Sequence, residues 1–423
     1  MVLKLLPVIA SGARQSHRNN IKMIKFKKAQ EIVVLHTSPL ADVEKVNLES
    51  CDGRVVAEDI RALFCQPPFT NSAMDGFAVR GEDVARASCG SPVSLEIQCF
   101  QPAGSAFTEL KPYMACEIAT GAPLPRGADA VVMKEKVKVE GTRATFCDAV
   151  KLGIHVREKG SDVSQGEILL RRGSKISAQC IGLLASFGVK DVSVVRRPHV
   201  FYVATGDEIV AVGEERAEHQ IYNSNARSLR ALLYHEGCEF TELGIFKDDE
   251  EELKFCVERI LEDAPDIFIL NGGISVGNRD YVKKVLDNLK VDILFHKVAI
   301  KPGKPVLFGR LKNTLIFGLP GNPFSTQVAF YQFVYPVIQK MQNRRNYFLR
   351  EEKAYLGEPL SLDSRHLIIP AVRRNILGVI EVFPLKESSG SVAAFSKANC
   401  FISVPEGEGI LEKDSLVSIQ VFI

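Results

Sequence analysis

The sequence predicts a multidomain protein of α/β plus β structure, in which a doubly wound, three-layer α/β domain is accompanied by β-rich regions. Its 423 residues are too many for one hydrophobic core and indicate about two to four domains. From His199 onward, strand-like and helix-like segments alternate at lengths typical of a largely parallel sheet. Before and after that region, short alternating runs separated by Gly and Pro are typical of β-rich modules.

Residues 1–22 form an extension that we expect to lie outside the fold. It carries several basic residues, and no acidic residue precedes Glu31. A start codon placed upstream of Met23 is favoured over a targeting peptide, because Lys4 and Pro7 interrupt the apolar stretch. The apolar spacing from Ile24 to His36 then predicts a helix.

The next part of the chain is predicted to be rich in strands. The stretch from Val43 to about Phe64 is strand-like and is followed by a segment containing Pro and Asn. Short alternating runs continue to about Lys151, which indicates a β-rich module. Helical periodicity returns between Ser174 and Gly188.

The character of the chain changes after Arg196-Arg197-Pro198. Strand and helix signals then alternate: HVFYVAT with NARSLRALLYHEG, EFTELGIF with DDEEELKFCVERILEDA, DIFIL with DYVKKVLDNL, and TLIFGLPGNP with STQVAFYQFVYPVIQKM. This alternation predicts the doubly wound sheet. After Arg345 the helical signal fades, and residues 353–423 are expected to form a small β-barrel or sandwich.

Composition and charge exclude several classes of protein. The 53 basic and 51 acidic residues give a net charge of +2, which provides no overall attraction for nucleic acid or membrane. The 10 cysteines include no C-x-x-C pair and the 8 histidines no H-E-x-x-H, so neither a zinc site nor a redox pair is indicated. Scattered cysteines and the absence of a long uncharged apolar run predict a cytoplasmic protein.

Unusual loops follow the predicted strands of the α/β region. They are Thr205-Gly206-Asp207-Glu208, Asp248-Asp249, Asn271-Gly272-Gly273 with Ser275 and Asp280, and the turns 301–305 and 319–323. Ligands of open α/β sheets bind outside the carboxyl ends of the strands, so we expect these loops to form a binding site. The Gly-rich turns are suited to presenting backbone amides to phosphate. A single such turn is better explained by a tight turn with positive φ, but several at successive strand ends favour an anion site.

Acidic and basic side chains in the same loops suggest a divalent cation beside a phosphate. Glu208, Asp248 and Asp280 are suited to Mg²⁺, which binds carboxylate and phosphate oxygens together. Helix capping is an equal alternative at Asp248 or Asp249 and applies to Asp280 as well, while a surface salt bridge is the alternative for Glu208. The lysines of the next turn suit phosphate or an oxyanion such as molybdate, or else form a solvated basic loop. They are Lys297, Lys301 and Lys304.

No Ser–His–Asp arrangement, nucleophile elbow or reactive cysteine motif is found. The sequence therefore favours catalysis by positioning and metal electrostatics over a covalent protein intermediate.

The motifs, taken in order, resemble the MoeA family of molybdopterin molybdenumtransferases from about Met23 to Ile423. They are PPFTNSAMDGFAVR, ATGAPLPRGADAVVM, REKGSDVSQGE, TGDEIV, NGGISVGNRDY, AIKPGKPVLFG, GLPGNPFST and VPEGEG. The resemblance implies a linker domain (23–64 and 161–195), an inserted β-rich domain (65–160), an α/β molybdopterin-binding domain (196–346) and a C-terminal β-barrel (347–423). It also implies a homodimer with its clefts between protomers, and a molybdoenzyme or an adenylyltransferase as a further partner.

The reaction implied by the resemblance is insertion of molybdate into adenylylated molybdopterin with Mg²⁺, which releases AMP and molybdenum cofactor. The implied catalytic residues are Glu208, Asp248, Asp280, Asp75, Lys297 and Lys301, the first three as metal ligands. The implied substrate-binding residues are Thr120, Arg157, Asp162, Pro320 and Pro323, and the pattern of the loops adds Gly272, Gly273, Ser275, Lys304 and Gly321. An Asx turn before Gly76 is the alternative explanation of Asp75.

Three positions depart from the family pattern. Phe77 replaces a usual tyrosine, Asn271 replaces a small hydroxyl residue, and Ser364-Arg365-His366 differs from the usual Gly-Arg element. Two other functions are also consistent with this fold. One is a MogA-type molybdopterin adenylyltransferase, which would consume ATP, and the other is a non-enzymatic scaffold, against which the retained acids and lysines argue.

Overall fold

The structure is a computed structural model that describes residues 23–247, 249–274, 281–385 and 392–422. The described residues divide into two compact units. One contains residues 23–44, 53–55 and the described residues from 195 onward, and the other contains residues 45–52 and 56–194. The five domain boundaries expected from the sequence stay a prediction.

The unit that contains the α/β region is built on a six-stranded sheet. Its strands, in spatial order, are Glu239–Phe246, His199–Thr205, Ile267–Asn271, Thr314–Leu319, Leu307–Leu311 and Asp292–His296. The first four are parallel, and the last two form antiparallel pairs at one edge. The helices of this unit are Phe26–Leu35, Ser224–His235, Glu250–Glu262, Tyr281–Asn288, Pro323–Ala329, Tyr335–Met341 and Val392–Phe395, with a π-helical turn at Phe330–Val334.

Both faces of the parallel strands are covered, as a doubly wound sheet requires. Along His199–Thr205, Tyr202 packs in one core and Val203 in the other, because successive side chains of a strand point to opposite faces. The first core includes residues of the Ser224–His235 helix, and the second includes residues of the Glu250–Glu262 helix. Helix Phe26–Leu35 joins the first core through Phe26, Ala29 and Val33.

The C-terminal strands form a closed five-stranded barrel, which confirms the barrel alternative. Its strands pair in the order His366–Ile376, Val379–Pro384, Arg350–Leu356, Leu416–Val421 and Cys400–Val404, and the last pairs again with the first. Strand Val298–Lys301 extends this sheet by pairing with His366–Ile376 on one side and Ile24–Lys25 on the other. Short strands Ile209–Val210 with Ile221–Tyr222, and Leu360–Ser361 with Ile410–Leu411, complete the unit.

The second unit is rich in strands, as its sequence predicts. Its six-stranded sheet has the order Ala130–Met133, Gly76–Val79, Met114–Ile118, Val93–Gln101, Arg143–Phe146 and Val137–Glu140. Smaller pairs are Asn71–Ser72 with Val156–Arg157 and Ile60–Arg61 with Ile168–Leu170, and the strands Val43–Asn47 and Asp191–Val195 lie mostly in this unit. Helices Gly81–Val84 and Ala178–Ser186 and the 3₁₀ turns Leu48–Ser50 and Lys134–Lys136 complete it.

Candidate functional site

The order of the parallel strands creates a topological switch point. Strand His199–Thr205 is followed along the chain by Glu239–Phe246 on one side and then by Ile267–Asn271 on the other. The two connections therefore leave in opposite directions. A crevice forms outside the carboxyl ends of strands His199–Thr205 and Ile267–Asn271. Thr205 and Asn271 are the last residues of these strands, so the predicted TGDE and NGG loops begin at this crevice.

The NGG loop lies directly against the end of the first strand. A Cβ built on Gly272 would stand 2.4 Å from the carbonyl oxygen of Thr205, and one built on Gly273 would stand 2.8 Å from Thr205 Oγ1. The φ angles of Gly272 and Gly273 are +99° and +63°, so the tight-turn explanation of the two glycines is correct as far as it goes. The same geometry leaves the backbone accessible to close approach by a ligand, so the anion-site prediction is compatible with it.

The two Pro/Gly turns continue the series of adjacent loops. A Cβ built on Gly321 would lie 3.7 Å from the Cα of Gly272, and one built on Gly303 would lie 3.6 Å from the carbonyl oxygen of Ser325. Asn322 caps the Pro323–Ala329 helix by accepting from Phe324 N. Three loops predicted from the sequence thus lie next to one another in the order 205–208, 271–273 and 319–323, and the fourth, 301–305, lies against Ser325 in the helix that follows the third.

A buried network of amides, which the sequence did not predict, fixes two of these loops. Asn271 Nδ2 donates to the carbonyl oxygen of Pro320 at 2.7 Å, and Asn271 Oδ1 accepts from Asn225 Nδ2 at 2.8 Å. Asn225 Nδ2 also donates to the Gly321 carbonyl at 2.7 Å. Tyr202 donates to Asn271 Oδ1 at 3.1 Å, and burial raises the pKa of its phenol, which keeps the hydroxyl protonated.

Glu208 is the proposed metal ligand that the structure describes, whereas Asp248 and Asp280 lie outside the described residues, as does Ser275. The Glu208 carboxylate folds back against Gly206, where an added Cβ would stand 2.7 Å from Oε2. Gly206 N donates to the carbonyl oxygen of Phe246, so the segment leading to Asp248 begins beside this loop. Within the described residues, no group of three or more His, Cys, Asp and Glu side chains could hold a metal.

The oxygens at this point nevertheless suit a hard cation. Thr205 is 3% exposed, and its Oγ1 has no hydrogen-bond partner among the residues that the structure describes. A buried hydroxyl without a partner is costly and is expected to find one in a ligand, an ion or water. Carboxylate oxygens are the protein donors that Mg²⁺ usually takes, so Glu208 fits this ion by its chemistry, and Thr205 lies at the end of the strand that leads to it.

Asp249, the alternative to Asp248, is a helix cap. Its carboxylate accepts from Glu251 N at 3.0 Å and Glu252 N at 2.9 Å at the start of the Glu250–Glu262 helix. The capping explanation therefore accounts for Asp249. Asp248 remains the prediction for the metal ligand.

The three predicted lysines lie on one tight loop. Lys297 N donates to the Val306 carbonyl, and the Lys304 carbonyl accepts from Val298 N, both at 2.9 Å. Lys297 has a φ of +75°. Lys301 ends its strand, is half exposed, and donates to Asp363 Oδ2 at 2.9 Å. The solvated-loop explanation is therefore incomplete for Lys301, whose ammonium has a fixed acidic partner.

A cavity of about 1020 Å³ borders the TGDE loop. Its lining includes Gly206, Asp207, Glu242 and Lys247. This volume is at the upper end of those typical of small-molecule sites. Among described residues its lining lacks the glycine turns at 272–273 and 320–323.

In the second unit, the structure joins the motifs around Asp75 and Thr120. Asp75 Oδ1 accepts from Thr120 N at 2.7 Å and from Thr120 Oγ1 at 3.0 Å. The backbone bond, and then the hydroxyl bond, lower the pKa of the Asp75 carboxyl below its ordinary value. The Asp75 side chain therefore binds Thr120 and does not form an Asx turn. Gly76 is required because a Cβ there would stand 2.0 Å from the carbonyl oxygen of Val132.

Two further predicted residues lie on segments beside this pair. Arg157 pairs with Asn71 across a two-stranded ladder, and Asp162 N donates to the Gln66 carbonyl at 3.0 Å. Both side chains are exposed. Phe77, the position where tyrosine is usual in the family, is fully buried against Phe146 in an edge-to-face contact.

Three family profiles match the chain in succession. They are the MoeA N-terminal region (domain I and II) at residues 24–188, the "Probable molybdopterin binding domain" at residues 205–340, and the MoeA C-terminal region (domain IV) at residues 353–422. A curated relative from Haemophilus influenzae, named molybdopterin molybdenumtransferase, is 36% identical over 392 residues, which cover 90% of this chain and 94% of the relative.

The chain belongs to the MoeA family of molybdopterin molybdenumtransferases.

Two further MoeA-family proteins are similar to this chain over most of its length. A relative of the same name from Bacillus subtilis is 33% identical over 393 residues, covering 91% of each chain. Among solved structures, the molybdopterin biosynthesis MoeA protein of Pyrococcus horikoshii OT3 has a TM-score of 0.81 at 30% identity, covering 95% of this chain and all of that one. In the described part of this MoeA-family chain, no helix is both long and apolar enough to cross a membrane.

Proposed function

We propose that this protein inserts molybdate into adenylylated molybdopterin with Mg²⁺ and releases AMP and molybdenum cofactor. The observation that carries the proposal is the meeting of the loops 205–208, 271–273 and 319–323 at the switch point of the α/β sheet, in a chain that belongs to this transferase family. The residue types of these loops, which are Gly-rich turns, acids and lysines, suit a substrate with phosphate groups and an oxyanion.

Each group in the crevice has a proposed task. The amides of Gly273 and Gly321 bind phosphate oxygens, and Gly272, whose N–H donates to the Leu319 carbonyl, allows the substrate to approach the backbone closely. Lys297, Lys301 and Lys304 attract molybdate and hold it near the pterin dithiolene. Mg²⁺, held by Glu208 with Asp248 and Asp280, would neutralise the charge of the phosphoanhydride as AMP departs. Pro320 and Pro323 restrict the turn between them, which lowers the ordering cost of binding.

We also propose that the site is shared between the protomers of a homodimer, with Asp75, Thr120, Arg157 and Asp162 of one chain facing the α/β loops of its partner. Asp75→Asn and Glu208→Gln would then each inactivate both sites of a homodimer. A mixed dimer would keep one intact site, so mixing the two inactive variants should restore about one quarter of the wild-type rate. No recovery in dimers shown to have exchanged subunits would contradict the shared site.

The reaction itself is tested by supplying adenylylated molybdopterin, Mg²⁺ and molybdate without ATP. We expect AMP release that depends on molybdate, because metal insertion and loss of the nucleotide are coupled. Consumption of ATP with unadenylylated molybdopterin would instead establish an adenylyltransferase. Tight binding of adenylylated molybdopterin with no AMP release under any of these conditions would establish a scaffold.

A further inference from the structure

Lys301 is held by an acidic residue of the C-terminal barrel region. Its Nζ lies 2.9 Å from Asp363 Oδ2. The two side chains differ in freedom, because Lys301 is 54% exposed and Asp363 only 17%. The lysine can therefore leave this contact more easily than the carboxylate can.

Asp363 is fixed by its neighbour Arg365. Asp363 Oδ1 accepts from Arg365 Nε and from the Arg365 backbone N, each at 3.1 Å. The Arg365 guanidinium, and then the Lys301 ammonium, hold the pKa of the Asp363 carboxyl well below its ordinary value. The carboxylate is thus ionised at any pH at which the protein works, and it remains oriented when Lys301 moves away.

The VPEGEG motif, residues 404–409, has no role in the proposed reaction. It binds the segment that contains Leu362 and Asp363. Gly407 N donates to the carbonyl oxygen of Asp363 at 3.0 Å, and Leu362 N donates to the carbonyl oxygen of Gly409 at 2.9 Å. A Cβ on Gly407 would stand 3.1 Å from Leu362 Cδ1, so the motif packs closely on the segment. Strand pairing of Lys301 with Leu367 fixes the separation of the two backbones.

We propose that Asp363 is a positioning residue for Lys301, whose carboxylate holds the ammonium at the end of its strand until an oxyanion displaces it. The inference rests on the proposed function, in which Lys301 faces molybdate. A molybdate ion entering this site meets a lysine that is already neutralised by a fixed acid. Asp363 therefore lowers the affinity for the anion, and it sets the concentration at which the site fills.

The test is to measure the binding of sodium molybdate alone, by calorimetry, to the wild type and to Asp363→Asn. The variant removes the charge but keeps an acceptor for Arg365. We expect molybdate to bind about twofold to fivefold more tightly, as loss of a half-exposed ion pair allows. In the full reaction, the KM for molybdate should fall by a similar factor, with the main change in KM and not in kcat. A merely structural role for Asp363 would lower stability without tightening binding.

The matched control is Glu406→Gln, which removes the 3.3 Å contact with Lys25 on the neighbouring strand and should leave molybdate affinity unchanged. In a Lys301→Gln background, Asp363→Asn should have no further effect on binding. If the Asp363→Asn protein does not fold, Asp363→Ser serves as a second variant. Unchanged or weaker molybdate binding in a folded Asp363 variant overturns the inference about Asp363 but leaves the proposed function standing. If Lys301→Gln itself binds molybdate as the wild type does, the role of Lys301 in the proposed function fails as well.

Discussion

The backbone of Gly272 lies so close to Thr205 that a methyl group on its Cα would stand 2.4 Å from the Thr205 carbonyl oxygen. The same residue has a φ of +99°, which side chains rarely tolerate. The close contact and the positive φ each require glycine. Both requirements fall where strands His199–Thr205 and Ile267–Asn271 end. The contact keeps the two loops at the switch point in a single arrangement.

Gly272→Ala should therefore destabilise the protein by about 2 kcal/mol or more, from backbone strain and the clash with Thr205. The measurement is the free energy of unfolding in urea. Gly321→Ala is the matched control, because a Cβ there would find its nearest neighbour at 3.7 Å, an ordinary contact. Equal stability of the two variants would show that the described contact is wrong.

Asn271→Ala should cost about 2–3 kcal/mol of stability, because it removes several buried hydrogen bonds at once and leaves each former partner with one remaining hydrogen bond. The groups affected are Tyr202 OH, Asn225 Nδ2 and the Pro320 carbonyl. Asn288, which is exposed on a helix, provides the control, and its replacement by Ala should change stability by less than about 0.5 kcal/mol. If Asn271→Ala lowers the free energy of unfolding no more than Asn288→Ala does, the hydrogen-bond network around Asn271 does not stabilise the loops.

Much of the α/β domain could be predicted because its elements depend on local pattern. The strand predicted as HVFYVAT is His199–Thr205, and the helix around NARSLRALLYHEG is Ser224–His235. Strand order could not be read from the chain, since pairing depends on contacts between distant segments. For the same reason, the pairing of Val298–Lys301 with the barrel strand His366–Ile376 was not foreseen.

The candidate site was predicted as a set of loops but not as a set of contacts. Glycine and proline spacing identified the turns at 272–273, 301–305 and 320–323 because these residues restrict or free the backbone locally. Asp363 gave no signal, because its partner Lys301 is 62 residues away in the sequence. The roles of the site residues stay predictions, as does the cytoplasmic location.

The contact between Asp75 and Thr120 predicts a specific pH dependence. Because the folded-state pKa of Asp75 is below its ordinary value, the contact is stabilising above that ordinary value and is lost as the pH falls through the folded-state pKa. Thr120→Ala removes the hydroxyl bond but keeps the larger contribution from the backbone N–H. The pKa of Asp75, followed by NMR, should therefore rise only part of the way towards 3.8.

Thr108→Ala is the control for that titration. The Thr108 hydroxyl donates to Gln101 Oε1 in the same unit, so its removal leaves the Asp75 contact intact. An Asp75 pKa that is already ordinary in the wild type, or that does not move in Thr120→Ala, would mean that the two residues are not joined in solution.

The most direct test of the central claim, that the loops at the switch point form the reaction site, is the rate of molybdate-dependent AMP release by Glu208→Gln. The account predicts a fall of about a hundredfold or more, because the neutral amide cannot balance the charge of a cation at the phosphoanhydride. Glu239→Gln, at the opposite end of the neighbouring strand and in contact with His199, should keep the wild-type rate. A Glu208→Gln enzyme as fast as the wild type, with the same fold, would contradict the account.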